Sequence, residues 1–308
     1  MRIIRYRDPG GMRLAAVTDQ DAAYGLADAD FFALVDRAES AGVAPLHRIR
    51  EQIDGAAPLG GDWRQLDLVA PLDAPEVWGA GVTYERSREA RNYETGDGRA
   101  EGSLTCYDKV YDAARPELFL KSTAARTVGP GAAVCLRSDS KWQVPEPELG
   151  LVLDRNGRMI GYTAGNDMSC RDIEGDNPLY LPQAKIWRNS CAIGPAIRLA
   201  ETVNDPYALR IVCRIYRRGR LVVDESATTG KLKRKLEELV AYLRKDNIIF
   251  DGTVLLTGTG IVPPGHFTLE PGDRIEIEID GIGTLTNIAA PAQTGQTGES
   301  TNRIIDEE

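Results

Sequence analysis

Residues 144–168 read VPEPELGLVLDRNGRMIGYTAGNDM, which is two apolar runs separated by the dipeptide Asn156-Gly157. An Asn-Gly pair between apolar runs is the strongest short-range signal for a β-hairpin, because both residues tolerate the positive φ angles of a type I′ turn. A two-residue turn at this dipeptide places Arg155 opposite Arg158, so that facing residues have numbers that sum to 313. The segment therefore predicts an antiparallel hairpin with a defined pairing register.

The same register brings three carboxylates together at the open end of the hairpin. In it, Glu148 faces Gly165 and Glu146 faces Asp167. Because side chains alternate between the two faces of a strand, Glu146, Glu148 and Asp167 share one face. Three oxygen ligands without a neighbouring histidine or cysteine suit Mg²⁺, Mn²⁺ or Ca²⁺. A β-bulge would shift the register by one residue, and a solvated acidic strand end is the alternative to a metal site.

Outside the hairpin, short apolar strands separated by Gly, Pro and Asn turns predict a β-rich α+β protein. The predicted strands are residues 2–6, 12–18, 77–82, 118–121, 149–153, 159–163, 209–216, 221–224, 254–257 and 274–279. Residues 1–70 are expected to form a small α+β domain, and residues 71–291 a domain that holds the metal site. The polar residues 292–308 are expected to be a flexible tail.

Two helices are predicted among the strands, and the second is the one long amphipathic helix. Residues 28–40 carry apolar side chains at helical spacing, with Asp28 as the expected N-cap. Residues 231–245 carry a single stripe of leucine and valine, with Thr229 as the expected cap. The helix at residues 231–245 is predicted to cover a sheet.

Composition excludes several classes of protein. The chain has 37 Lys and Arg against 46 Asp and Glu, a net charge of −9, which disfavours binding to nucleic acid. No run approaches the roughly 20 apolar residues of a membrane span, and no signal peptide is recognisable, so a cytoplasmic protein without membrane association is expected. Five widely spaced cysteines without a CxxC pair, and only two histidines, argue against disulfides and zinc.

Five motifs resemble the fumarylacetoacetate hydrolase family and occur in the family order. They are EPE at 146–148, GNDMSCRD at 165–172, AK at 184–185, TGT at 257–259 and DGIGTL at 280–285. The resemblance covers about residues 71–289 and implies a mixed β-roll behind a smaller N-terminal domain. It also implies that Glu146, Glu148 and Asp167 hold Mg²⁺ or Mn²⁺.

The resemblance further implies roles for residues around the metal. Lys185 matches the active-site lysine of the family and is expected to transfer a proton, with Glu117 as the expected second proton-transfer group. The expected substrate-binding residues are Arg171, Lys121, Thr257, Thr259 and Arg86. All of these residue types are also common on solvated surfaces, and the sequence leaves that alternative open.

The expected reaction depends on what the chain lacks. Hydrolytic family members carry a His–Glu pair on the lid, where this chain has Ser87 and Ala90, and this difference favours elimination over hydrolysis. Residues 78–91 and 107–121 resemble the dehydratase branch of the family. We therefore expect a hydro-lyase that converts a 2-keto-3-deoxy sugar acid, the D-arabinonate derivative above all, to 2,5-dioxopentanoate through a metal-stabilised enolate.

Two alternatives to the dehydratase stay open at this point. One is a metal-dependent acylpyruvate-type hydrolase or oxaloacetate decarboxylase of the same family. The other is a sugar-acid binding protein without turnover. In each case the expected partner is a small 2-oxo acid, and analogy with the family implies a homodimer or homotetramer.

Overall fold

The computed structural model describes residues 1–94 and 105–291, so the predicted tail at residues 292–308 lies outside the described residues. The strands of this described part are β1 (Arg2–Asp8), β2 (Gly11–Val17), β3 (Ala23–Leu26), β4 (Asp67–Leu68), β5 (Glu76–Gly81), β6 (Glu117–Thr123), β7 (Thr127–Val128), β8 (Ala133–Leu136), β9 (Gln143–Val144), β10 (Pro147–Leu153), β11 (Met159–Asp167), β12 (Ser169–Cys170), β13 (Cys191–Leu199), β14 (Arg210–Arg217), β15 (Arg220–Thr228), β16 (Thr253–Leu256), β17 (Arg274–Ile279) and β18 (Gly283–Pro291). Every predicted strand is present, and the β-rich α+β class is confirmed.

The helices of the described residues are α1 (Phe31–Ser40), α2 (Pro45–Ile53), α3 (Glu85–Glu94), α4 (Cys106–Asp112), α5 (Arg171–Asp176), α6 (Leu181–Lys185) and α7 (Leu236–Arg244). None of them is long and apolar enough to cross a membrane. The N-cap of α1 is Asp30, which accepts the N–H of Ala33 at 2.8 Å, and the prediction of Asp28 was wrong. Asp28 is buried and instead pairs with Arg37 at 3.2 Å.

Helix α7 begins later than predicted, at Leu236 rather than residue 231. The N–H of Lys233 donates to the carbonyl of Thr83 at 3.0 Å, and the Arg234 side chain donates to the carbonyl of Ala114 at 3.2 Å. Thr229 does not cap α7, since its hydroxyl accepts the N–H of Leu209 at 3.0 Å. These long-range contacts hold residues 233 and 234 outside the helix.

The larger sheet has eleven strands and holds the predicted hairpin at its centre. The order of nine of them is β3-β2-β1-β13-β11-β10-β16-β5-β6, while β4 pairs with β1 and β7 with β13. Most neighbours are antiparallel, but β16 runs parallel to β5. Because parallel neighbours end at the same edge, the loops that follow β5 and β16 meet beside the open end of the hairpin.

The predicted register of the hairpin is confirmed where the carboxylates lie. Glu148 of β10 pairs with Gly165 of β11. One step further out, the N–H of Asp167 donates to the carbonyl of Glu146 at 3.0 Å. The three acids therefore meet at the open end of the hairpin.

The predicted turn of the hairpin is wrong, although the register is right. The N–H of Gly157 donates to the main-chain carbonyl of Asp154 at 2.8 Å, and the N–H of Asp154 donates to that of Arg158 at 3.1 Å. Asp154 rather than Arg155 therefore faces Arg158. This arrangement is a three-residue hairpin loop with Gly157 in the left-handed region, at φ +70°. A β-bulge at Ile160 then restores the predicted pairing.

Two layers cover the two faces of the large sheet. Helices α1 and α2 pack on one face through Phe31, Leu34 and Ile49. On the other face lie α7 and a second sheet of five strands, in the order β15-β14-β17-β18-β8. Because β1 pairs with β13, the first strands continue the same sheet as the rest of the chain. The domain boundary at residue 70 stays a prediction.

Candidate metal centre and active-site cavity

Three carboxylates meet at the open end of the β10–β11 hairpin. Glu146 precedes β10, Glu148 lies within it, and Asp167 ends β11. One carboxylate oxygen from each acid lies within 4.8 Å of the others, and all three residues are at most 3% exposed. Buried like charges at this spacing repel one another, so the cluster requires cations close by.

Lys185, at the end of α6, supplies one of these cations. Its Nζ donates to Glu146 Oε2 at 2.8 Å, to Asp167 Oδ2 at 3.0 Å and to Ser169 Oγ at 2.6 Å. The amine also lies 5.5 Å from the ring centroid of Phe119. The lysine predicted to be catalytic is thus buried, and its amine is fixed against two of the three acids.

Arg171 and Lys121 add two further buried cations. Arg171 Nη2 lies 3.1 Å from Glu146 Oε1, and Lys121 Nζ lies 2.7 Å from Asp167 Oδ1. Together with Lys185, they give three cations in contact with the acids, so the formal charges of these six side chains cancel. Short, buried ion contacts of this kind are much stronger than exposed ones.

Glu148 is held by the backbone of the loop after β16. Its Oε2 accepts the N–H of Gly258 at 2.6 Å. Burial raises the pKa of Glu148 well above its ordinary value, and the charges of Asp167 and Glu146 raise it further, whereas Lys185 and the Gly258 amide lower it. A bound cation would favour the ionised form of this carboxyl by taking the place of its proton.

Gly258 is required by the close packing of that loop. Its φ angle is +91°, and a Cβ atom there would lie 1.9 Å from Thr83 Oγ1 and 2.8 Å from the carbonyl of Ala80. Thr83 Oγ1 donates to the carbonyl of Thr257 at 2.6 Å, which ties the segment after β5 to the segment after β16. The amide that supports Glu148 is therefore positioned by two loops.

The acids and Lys185 line a cavity. Its other polar lining residues include Glu117, Thr259, Ser87 and Glu174. The carboxylate of Glu117 packs directly over Gly81, where a Cβ atom would lie only 2.1 Å from Oε2. The predicted proton-transfer pair, Lys185 and Glu117, therefore shares one cavity with the three acids.

The predicted substrate-binding residues are divided by the structure. Thr259 lines the cavity, whereas Arg171 and Lys121 contact the acids but do not belong to its lining. Thr257 Oγ1 donates to the carbonyl of Leu149 at 3.0 Å within the sheet, and Arg86 is exposed at a separate cleft. This placement gives no support to substrate contacts by Thr257 or Arg86.

Several residues of the site were not predicted, and two of them had a usable signal. Ser169 follows Asp167 by two residues, which strand alternation assigns to the same face. Glu174 lies one helical turn after Arg171 on α5. The TGT loop indicated that a backbone amide at Gly258 could approach an anion, but its pairing with Glu148 was not predicted, because the two residues are distant in the sequence.

The donor set fits a hard divalent cation. It consists of three carboxylates, and neither histidine of the chain lines the cavity. Asp167 Oδ1 is buried and accepts no hydrogen bond from the described residues, although Lys121 Nζ lies beside it as an ion pair. An oxygen of this kind keeps a lone pair for a ligand, and carboxylate oxygens are the ligands that Mg²⁺, Mn²⁺ and Ca²⁺ prefer.

Comparison with known proteins agrees with this geometry. Residues 77–289 match the family model described as fumarylacetoacetate (FAA) hydrolase C-terminal. The chain is 50% identical over 218 residues to 2-dehydro-3-deoxy-D-arabinonate dehydratase of Saccharolobus solfataricus, covering 71% of this chain and 72% of that protein. It is 44% identical over 283 residues to the probable 2-keto-3-deoxyxylonate dehydratase of Haloferax volcanii, covering 90% of this chain and 95% of that protein.

A solved structure shows the same fold. It is a 2-keto-3-deoxy-D-arabinonate dehydratase complexed with magnesium and 2,5-dioxopentanoate, which aligns with a TM-score of 0.81 and 38% identity over 95% of this chain and 100% of that chain. The likeness extends over the N-terminal strands as well as the metal centre. The family model, the similar sequences and the shared fold together show that the chain belongs to the fumarylacetoacetate hydrolase family.

Proposed function

We propose that this protein is a Mg²⁺-dependent dehydratase that removes one water molecule from a 2-keto-3-deoxy sugar acid. The expected substrate is 2-keto-3-deoxy-D-arabinonate, and the expected product is 2,5-dioxopentanoate. The observation that carries the proposal is the cavity in which three buried carboxylates, Lys185 and Glu117 meet. The identity of 50% to an arabinonate dehydratase supports the same reaction.

Glu146, Glu148 and Asp167 are the residues that would hold Mg²⁺. When bound there, the ion would act as a Lewis acid toward the C2 carbonyl and carboxylate of a 2-oxo acid and so acidify the C3 hydrogens. Arg171 fixes the Glu146 carboxylate, and the Gly258 amide fixes that of Glu148. Such outer contacts hold each acid in one orientation.

The loss of water requires two proton transfers by the protein. One proton leaves C3, the C4–O bond breaks, and a second proton joins the departing hydroxyl to form water, which leaves a 2-oxo acid with a C3–C4 double bond. Transfer of a proton from C5 to C3 then gives the C4–C5 enol, which takes up a proton at C4 and loses its hydroxyl proton to become the C5 aldehyde. Lys185 and Glu117 are the two groups that we assign to these transfers, because both line the cavity beside the acids. Thr259 is the substrate-binding residue that the lining supports.

The hydrolytic alternative has less support. A hydrolase needs a base that activates water, yet His47 and His266 lie at other clefts of the surface. Ser87 lines the cavity where hydrolytic members of the family carry the histidine. The identity of 50% to an arabinonate dehydratase likewise favours turnover over binding alone.

The test is direct turnover. Purified protein with Mg²⁺ should convert 2-keto-3-deoxy-D-arabinonate into an aldehyde that an NAD-linked aldehyde dehydrogenase consumes, and EDTA should stop the reaction. The C4 epimer, 2-keto-3-deoxy-L-arabinonate, run in parallel would reveal the stereochemical preference. Release of pyruvate would contradict the dehydratase and favour the lytic alternative, and full turnover by Glu146→Ala without added metal would contradict the metal centre.

We also propose that the protein acts in the cytoplasm as a homodimer or homotetramer. The acidic composition and the family relationship support this proposal. Light scattering coupled to size-exclusion chromatography measures the oligomeric state, and a monomer at micromolar concentration would contradict it.

A further inference from the structure

Lys121 of β6 is fully buried, at 0% exposure, and does not belong to the cavity lining. Its Nζ donates to the main-chain carbonyl of Met168 at 2.7 Å and to that of Lys185, and it lies 2.7 Å from Asp167 Oδ1. The indole ring of Trp187 covers the amine, with 5.0 Å between Nζ and the ring centroid. These contacts surround the amine with protein, which does not fit the predicted contact with substrate.

The contacts of Lys121 join two segments that carry reacting groups. Met168 directly follows Asp167 at the end of β11, and Lys185 is the last residue of α6. A single ammonium group that binds the main chain of both segments fixes the distance between the strand end and the helix end. The position of the Lys185 side chain relative to Asp167 depends on that distance.

The two lysines also divide the carboxylate of Asp167 between them. Lys121 Nζ contacts Oδ1, whereas Lys185 Nζ donates to Oδ2 at 3.0 Å. The carboxylate cannot rotate about its terminal bond without losing one of these ion pairs. Asp167 is therefore held in one orientation, which a metal ligand requires.

Stability alone does not account for a cation at this position. Transfer of an ammonium group from water into a protein interior costs several kcal/mol, and replacement of buried ion pairs by apolar side chains of similar volume is often neutral or stabilising. A methionine could fill the same space between β6 and Trp187 without that cost. The cation is thus better explained by what it holds in place.

We propose that Lys121 is a positioning residue for the dehydration: by binding Asp167, Met168 and the main chain of Lys185, it sets the Lys185 amine against Asp167 and Ser169. The kinetic part of this inference rests on the proposed function. The structural part does not, because the position of the Lys185 amine can be determined without any substrate.

The kinetic experiment compares Lys121→Met with the wild-type protein. We expect kcat at saturating Mg²⁺ to fall about 10- to 100-fold, as for other residues that orient active-site groups, while KM changes less than about threefold and the Mg²⁺ dissociation constant rises by a smaller factor than kcat falls. Isothermal titration with Mg²⁺ in the absence of substrate supplies the second readout. Unchanged kcat, or loss of Mg²⁺ binding in proportion to kcat, would overturn the positioning role.

Two controls separate positioning from folding and from net charge. Lys141→Met removes one positive charge from an exposed site and should leave kcat unchanged. Lys121→Ala should regain part of its kcat on addition of methylammonium, which can occupy the vacated volume, but not on addition of tetramethylammonium. Failure of methylammonium to restore any activity to a folded Lys121→Ala protein would count against the inference.

A crystal structure of Lys121→Met distinguishes failure of this inference from failure of the proposed function. If wild-type protein shows no dehydratase activity, the proposed function fails, but the inference still requires the Lys185 amine to leave Asp167 Oδ2 or Ser169 Oγ by more than about 1 Å, the scale of misplacement that impairs catalysis. An unmoved amine in the variant would overturn it.

Discussion

The two ends of the β10–β11 hairpin carry similar sets of charges in opposite surroundings. At the open end, the ion pairs of Lys121, Lys185 and Arg171 with Asp167 and Glu146 involve side chains that are at most 4% exposed. At the turn end, the ion pairs that join Arg155 and Arg158 to α1 involve side chains that are 43–58% exposed. One hairpin thus carries a buried charge cluster and a solvated one.

The difference shows which cluster serves the fold and which serves the reaction. Exposed pairs contribute between 0 and about 1 kcal/mol each, because solvent screens them and side-chain entropy opposes them. Buried charges cost several kcal/mol of desolvation per ion, which their mutual attraction only partly offsets. The turn-end pairs connect the hairpin to α1, whereas the buried cluster is explained by the chemistry that it performs.

The largest expected effect is at the buried end, in Glu148→Gln. Loss of a metal ligand should weaken Mg²⁺ binding more than about 100-fold, because even changes to the residues behind a ligand cost 10- to 100-fold. The free energy of unfolding of the metal-free protein should not fall, since the variant removes a carboxyl that burial already disfavours as an anion. Isothermal titration measures the Mg²⁺ affinity, and urea unfolding in EDTA measures the free energy of unfolding. Wild-type Mg²⁺ affinity in the variant would show that Glu148 is not a metal ligand.

A smaller effect is expected in the loop that supports the buried end. Gly258→Ala combines a positive φ with a clash against Thr83, so it should destabilise the protein by about 2–4 kcal/mol and displace the amide from Glu148. Gly281→Ala is the matched control, because its φ is +72° but no atom lies within 4 Å of the added Cβ. The control should cost only about 1–2 kcal/mol and keep its activity. Equal losses of unfolding free energy in the two variants, measured by urea unfolding, would show that the close packing around Gly258 does not contribute to stability.

The smallest effect is expected at the turn end. Glu39→Gln removes the exposed pair with Arg158 and should lower the free energy of unfolding by at most about 1 kcal/mol, with less difference at high salt. Turnover and Mg²⁺ affinity should stay at wild-type values. A loss of activity in this variant would show that the two ends of the hairpin are coupled.

The carboxylate cluster could be predicted from sequence because its geometry is local. Strand alternation and an antiparallel register suffice to bring Glu146, Glu148 and Asp167 to one face. The same local rules failed at the turn, where residues 155–157 form a three-residue loop instead of the expected two-residue turn. The prediction survived because the bulge at Ile160 compensates for the extra loop residue.

Features that depend on distant partners could not be predicted in this way. The start of α7 is set by the bond from Lys233 to Thr83, and the place of Lys121 is set by the end of α6. Neither partner lies within reach of a periodicity argument. A lysine within a strand is equally consistent with a solvated edge, so the burial of Lys121 had no signal in the sequence.

The compensating bulge has a consequence for how the hairpin tolerates insertions and deletions. Loss of one loop residue would leave Asp154 opposite Arg158 and the bulge in place, so the acids would stay in register. Loss of Ile160 alone would remove the bulge and would also leave Glu148 opposite Gly165. In alignments of relatives, single gaps should therefore fall within residues 155–160 rather than within 161–166, where a gap would move core side chains to the other face of the sheet.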